Sequence, residues 1–147
     1  MKIAKIRNVK TPRRGTDGSA GIDFFVPDDY PHELCEIKPL ERFFIPSGIK
    51  ANVPDGYALI AMNKSGVALK KGLVVGACVV DSDYQGEIHL HLINTSDKPV
   101  RIQPGDKLTQ FLLIPVDHCL VEVVNEGDLF EEETTRGSGG FGSTGVK

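Results

Sequence analysis

The sequence has no apolar run long enough to span a bilayer, which argues against a membrane-spanning helix, and its N-terminus lacks the apolar core of a secretory signal. A soluble protein of the cytoplasm is expected, or of the host-cell interior if the source is viral or phage. Cysteine is scarce and odd in number: Cys35, Cys78 and Cys119 stand far apart. Neither a disulfide framework nor a CxxC metal site is indicated, and reduced, partly buried thiols are expected. Basic charge is also short, with 17 Lys and Arg against 20 Asp and Glu for a net charge of -3. No basic face for direct nucleic-acid binding follows from that balance. A polyanionic ligand would have to be met by a few local cations, and Lys64, Lys70, Lys71, Lys107 and Arg136 are the candidates.

What the chain does have is punctuation. Sixteen glycines and nine prolines fall between short β-branched and aromatic runs, which predicts many short strands, tight turns and little helix. At 147 residues the chain is long enough to bury one core without staples. Strands are expected around residues 3–9, 22–27, 42–46, 48–54, 57–62, 73–80, 87–92, 100–102, 107–115 and 120–124. Between the first two, residues 13–21 form a glycine-rich loop, whose small residues beside a buried strand suit the close approach of a packed neighbour, a ligand or a second subunit. Gln110 lies inside a strongly apolar strand, so a defined hydrogen-bond partner is expected for it.

The stretch Val79-Val80-Asp81-Ser82-Asp83-Tyr84-Gln85-Gly86-Glu87-Ile88 joins an apolar run to the cleanest period-two strand in the chain. Ile88, Leu90 and Leu92 alternate there with Glu87, His89 and His91. A hairpin with two carboxylates and a phenol at its bend is expected, although Asp and Gly also serve turns for purely local reasons. Lys64-Ser65-Gly66 opens a predicted turn or two of helix, where backbone N–H groups and a lysine suit a phosphate, or form a simple capped turn.

The last part of the chain differs in composition. Five acids lie between Glu126 and Thr135, and Arg136-Gly137-Ser138-Gly139-Gly140-Phe141-Gly142-Ser143-Thr144-Gly145 follows. Such a segment is expected to be disordered in the free protein. It also carries what a flap over a nucleoside triphosphate needs: an arginine for phosphate, glycine-rich backbone donors and one aromatic face for a base. Residues 1–125 are accordingly read as a β domain and 126–147 as an arm.

Five short motifs, in this order, closely resemble those of the trimeric dUTP pyrophosphatase (dUTPase) family. They are Ala20-Gly21-Ile22-Asp23-Phe24, Lys64-Ser65-Gly66, the stretch from Gly76 to Ile88, Gly105-Asp106-Lys107-Leu108-Thr109-Gln110-Phe111, and the arm from Arg136 to Gly145. The resemblance implies an all-β, distorted jelly-roll or β-barrel-like fold with a glycine-rich mobile C-terminal arm. It implies a homotrimer, with each site built from three chains, that cleaves dUTP to dUMP and pyrophosphate with Mg2+. By the same resemblance Asp81 is the general base that activates the attacking water. Uracil lies against the backbone around Gly76 and Val80, and Tyr84 packs beneath the deoxyribose. Lys64, Ser65, Gly66 and Gln110 meet the phosphate chain. Arg136, Gly140, Gly142, Ser143 and Thr144 close on the γ-phosphate, and Phe141 stacks over the base. Mg2+ is held mainly by substrate phosphates and water, with Asp23 an indirect, supporting residue.

The sequence departs from the family pattern twice. Lys64 stands where arginine is usual and keeps the charge without the planar fork. Cys78 stands where glycine is common, so the base site narrows if that side chain points into it. The alternatives are a dUTP-binding regulatory protein with weak or lost catalysis and a dCTP deaminase of the same fold.

Overall fold

The computed structural model describes residues 1–31, 36–141, 143 and 145. Cys35, Gly142 and Thr144, which enter the sequence reading, lie outside the described residues. The chain divides into two compact units, Met1–Asp117 and His118–Lys147.

Among the described residues of the first unit the strands are β1 (Lys2–Lys5), β2 (Arg13–Arg14), β3 (Ile22–Phe24), β4 (Glu36–Ile37), β5 (Arg42–Pro46), β6 (Ile49–Asn52), β7 (Tyr57–Asn63), β8 (Leu73–Val75), β9 (Val79–Val80), β10 (His89–Asn94), β11 (Val100–Arg101) and β12 (Thr109–Pro115), with one α-helix, α1 (Ser65–Lys71), between β7 and β8. The order β2-β3-β12-β7-β9 makes the largest sheet, and β5-β10-β8 makes a three-stranded one. Two strand pairs, β1-β6 and β11-β4, complete the jelly-roll-like all-β architecture. Every pairing is antiparallel. The period-two pattern of β10 is realised: Leu90 and Leu92 are fully buried and His89 is exposed.

Phe24 and Phe111, diagonal neighbours on one face of the paired strands β3 and β12, meet with ring centroids 4.4 Å apart. Ile37, Ile45, Leu59, Leu90 and Leu92 join them in a single buried cluster. Burial of each such side chain contributes about 1.5–3 kcal/mol, enough to hold short strands that few local bonds would keep.

Three expectations are corrected. The apolar run 73–80 is not one strand of a hairpin. Its first half, β8, pairs with β10, while its second half, β9, crosses to the large sheet and pairs with β7. Gly76 marks the crossing, so the Asp81 bend connects two sheets. Residues 13–14, expected as loop, form β2, which pairs with β3 through Arg13↔Asp23 and Arg14↔Ile22. The Arg14 guanidinium closes this hairpin by donating to the carbonyls of Ser19, at 2.6 Å, and Ala20.

The second unit holds no strand at 120–124, and Leu120, Val121 and Val123 are exposed. A short apolar strand needs a ladder partner, and its own unit supplies none among the described residues. That unit has a 3-10 helix at Glu126–Asp128. Successive turns follow, in which Gly137 N donates to Thr134 O, Gly139 N to Arg136 O and Ser143 N to Gly140 O, each at 3.0 Å.

Candidate active site

Three of the five motifs meet at one end of the large sheet. Residue pairing sets Gln110 of β12 opposite Asp23 of β3 on one side and Met62 of β7 on the other. Asp23 is buried, its side chain 6% exposed, and its two carboxylate oxygens receive two lysines. Lys64 donates to Oδ1, and Lys107 Nζ stands 3.2 Å from Oδ2. Burial pushes the Asp23 carboxyl up, but the bonds from Lys64 and Lys107 outweigh it and hold the group below the usual carboxylate range. Lys107 was expected only as one of several local cations; no spacing in the sequence joins it to Asp23.

Gln110 has the partner its setting demanded. Its Nε2 donates to the carbonyl of Asn63 at 2.9 Å, and its side chain fills the space beside Gly21. The glycine of the first motif is therefore explained by a packed neighbour. Asn63 also accepts from the Val75 N–H through Oδ1 at 2.7 Å, tying the end of β7 to β8. Directly after it Lys64 turns the chain into α1, and the N–H groups of Val67 and Ala68 both donate to the Lys64 carbonyl at 2.9 Å. Ser65 and Gly66 are exposed on the first turn, where helix geometry leaves their N–H groups outside the ladder.

The third motif builds a separate feature. Val80 is buried opposite Leu59, and Asp81 begins a turn closed by Tyr84 N donating to its carbonyl at 3.3 Å. Asp81 is exposed. The Tyr84 hydroxyl donates to the Glu87 carbonyl at 2.9 Å, and the ring covers Gly86, where a Cβ would strike it. Glu87 anchors the bend, accepting from Arg7 Nε at 2.9 Å and from Gly48 N at 2.7 Å. Its carboxyl, pushed up by burial, is held low on balance by Arg7 and the Gly48 N–H. Glu87, in sequence one residue of the wet face of a strand, thus braces the bend that carries Asp81.

Beside the bend is a cavity of about 200 Å3 lined by Phe44, Cys78, Val80, Tyr84, His91 and others. Cys78 is exposed and lines it, as does Val80. Cys78 therefore borders this space and does not point into the core. Cys119 is exposed as well, so both described thiols are free but not partly buried as expected.

The two features are not brought together within one chain. Continuing the β9–β7 register sets Asp81 against Ala58, six residues before Lys64 along β7. At about 3.3 Å per residue that is a separation on the order of 20 Å. The arm is internally turned, with Arg136 Nε donating to the Gly139 carbonyl at 2.9 Å and Phe141 exposed at a positive φ of 49°. Gly140 is half-buried and Ser143 exposed.

Among the described residues no three His, Cys, Asp or Glu side chains are grouped to hold a metal, and both Asp23 oxygens are taken by lysines. No helix among the described residues is long and apolar enough to cross a membrane.

A jelly-roll-like β protein with a carboxylate bend and a lysine–hydroxyl–amide cluster at separate sheet positions is the class these features define. The family model of the dUTPases matches residues 7–145, and the chain belongs to that family. It is 40% identical to the deoxyuridine 5'-triphosphate nucleotidohydrolase of a Hydrogenobaculum species, an alignment covering 100% of this chain and 99% of that protein. It is 42% identical to the protein of the same name from Chlamydia pneumoniae, covering 92% and 90%. The fold is shared with a mutant dUTPase of Staphylococcus bacteriophage 80alpha bound to dUpNHpp, with a TM-score of 0.85 at 23% identity over 99% of this chain and 98% of that one. It is shared too with a mutant dUTPase of S. aureus phage phi11, whose structure concerns the coordination of a structural Mg(II) ion, with a TM-score of 0.72 at 22% identity over 85% and 96%.

Proposed function

We propose that this chain hydrolyses dUTP to dUMP and pyrophosphate, keeping uracil out of DNA and supplying dUMP for thymidylate synthesis. The observation that carries the reading is the family match from residue 7 to residue 145, with the Asp81–Tyr84 bend intact within it. Asp81 is the general base: an exposed carboxylate at a fixed bend orients a water and takes its proton as the water attacks the α-phosphorus. Tyr84, pinned through Glu87, forms the floor for the deoxyribose and leaves no room for a 2′-hydroxyl. The base lies in the adjoining cavity, between Gly76 and Val80. Ser65, Gly66, Lys64 and Gln110 hold the phosphate chain. Arg136, Phe141 and Ser143, with Gly140, Gly142 and Thr144, close the site and exclude bulk water.

The distance between Asp81 and Lys64 supports a homotrimer, because a triphosphate whose α-phosphorus is at Asp81 cannot reach the Lys64 cluster of the same chain. The bend of one copy, the lysine cluster of a second and the arm of a third then make one site. A solution mass of three chains is the check. Mg2+ supplies neutralisation of the phosphate charge. The lysine-paired Asp23 fits a supporting role, and substrate phosphates and water fit as the metal's ligands. The substrate pool places the enzyme in the cytoplasm.

The decisive experiment is pyrophosphate release from dUTP with Mg2+, beside UTP, dCTP and dTTP, for the intact chain and Asp81→Asn. Rapid release from dUTP alone, abolished by the substitution, is expected. Binding of dUTP without release by the intact chain would sink the reading.

A further inference from the structure

We propose that Phe44 is a stacking residue of the base pocket, a fixed aromatic face within the unit Met1–Asp117 on which the uracil ring lies. The inference rests on the hydrolase reading and concerns a residue outside all five motifs. Strand β5 alternates: Ile45 is fully buried and Phe43 packs against the same core, while Phe44 turns to the other face and is 57% exposed. A solvent-facing position of such a strand ordinarily carries a polar side chain. Packing of the core gives no reason for a ring there.

One face of that ring is occupied. Phe44 lies opposite His91 in the β10–β5 register, and the two rings stack with centroids 4.1 Å apart and planes within 5°, as cross-strand neighbours can. His91 is itself held. The Ala77 N–H donates to its Nδ1 at 2.5 Å, and its ring fills the space where a Cβ on Gly76 would stand. The exposure of Phe44 therefore belongs to its outer face and edge, and the ring is backed by contacts that run through His91 to the crossing between the sheets.

What covers the outer face follows from its neighbours. Phe44 lines the same cavity of about 200 Å3 as Val80, Cys78 and Tyr84, and Val80 and Tyr84 are the residues assigned to the base and the deoxyribose. That volume is below the roughly 300–1,000 Å3 of pockets that enclose whole drug-sized ligands, and suits one planar ring. A pyrimidine presents a π-face to the phenyl ring, a contact that is tolerant of base identity. Because His91 already holds the ring in place, little side-chain freedom is lost when the base arrives. Phe44 then supplies affinity and leaves the choice of uracil over cytosine to the backbone around Gly76 and Val80.

The test is binding of dUpNHpp with Mg2+ to the intact chain, Phe44→Leu and Phe44→Tyr, reading Kd by titration and the 1H shifts of uracil H5 and H6 at saturation. Kd should rise about tenfold in Phe44→Leu, the upfield ring-current shift of H5 and H6 should shrink with it, and Phe44→Tyr should restore both. Unchanged affinity in Phe44→Leu would overturn the proposal. So would weaker affinity with H5 and H6 shifted as in the intact chain, since a merely structural role lowers affinity without removing a ring from the base. Should Phe44→Leu fail to fold, nuclear Overhauser contacts in the saturated intact chain decide instead. They should join uracil H5 or H6 to the Phe44 ring, and their absence overturns the stack. Pyrophosphate release from dUTP reports separately on the hydrolase reading: an intact chain that releases none sinks that reading, whereas an active chain whose Phe44→Leu variant binds dUpNHpp unchanged sinks the stack alone.

Discussion

The side chain of Gln110 occupies the space where a Cβ on Gly21 would stand. The first and fourth motifs are thus one packing unit, and the glycine is there for the glutamine.

Replacing Gly21 with alanine must push the Gln110 amide away and break its bond to the Asn63 carbonyl. The β3–β12 ladder does not depend on that bond, so the stability loss should be small, about 1 kcal/mol in urea denaturation. Turnover of dUTP should suffer more, by roughly tenfold in kcat/KM, if Gln110 holds the phosphate chain. A variant with unchanged kinetics would remove Gln110 from the site.

Acid should weaken the fold through Asp23 and Glu87. Both carboxyls are held below their ordinary values, Asp23 by Lys64 and Lys107 and Glu87 by Arg7 and the Gly48 N–H, each against the upward push of burial. A carboxyl whose folded pKa is lowered binds protons more readily in the unfolded chain. Its contribution is complete above the ordinary carboxylate range and is lost as pH falls through the lowered folded value. Tm should therefore decline below about pH 4, with a shallower decline in Asp23→Asn. That variant should also lose about 1–3 kcal/mol at neutral pH. A Tm that rises on acidification would contradict these two ion pairs.

A chain ending at Thr135 lacks Arg136, Phe141 and Ser143 while keeping every strand described above. The melting of the unit Met1–Asp117 should be unchanged, and pyrophosphate release from dUTP should drop by roughly a hundredfold or more. Full activity in the shortened chain would leave the arm without a part in catalysis.

Much of this protein is legible from local pattern. The alternation of Ile88, Leu90 and Leu92 determined a half-buried strand because side chains on a strand alternate faces whatever the partner. The Asp81–Tyr84 bend and the start of α1 at Ser65 are equally local, set by turn-forming residues and by a short helix between two strands. The five motifs, read in order, determined the family.

Partner choice was not legible. The run 73–80 has one composition throughout, yet Val75 pairs with Leu92 and Val80 with Leu59, because pairing depends on which edges lie nearby and not on apolar content. Asp23 meets lysines 41 and 84 positions away, an ion pair that only strand adjacency creates. The strand expected at 120–124 has the right residues but no neighbouring edge in its own unit. His91 reads in sequence as a wet-face residue; Phe44, stacked on its ring, and Ala77, whose N–H donates to its Nδ1, are brought to it only by the pairing of β5 and β8 with β10. Sequence determined the elements and the reacting groups through short-range sterics and alternation, and tertiary structure alone decided which groups meet, since that depends on long-range strand pairing.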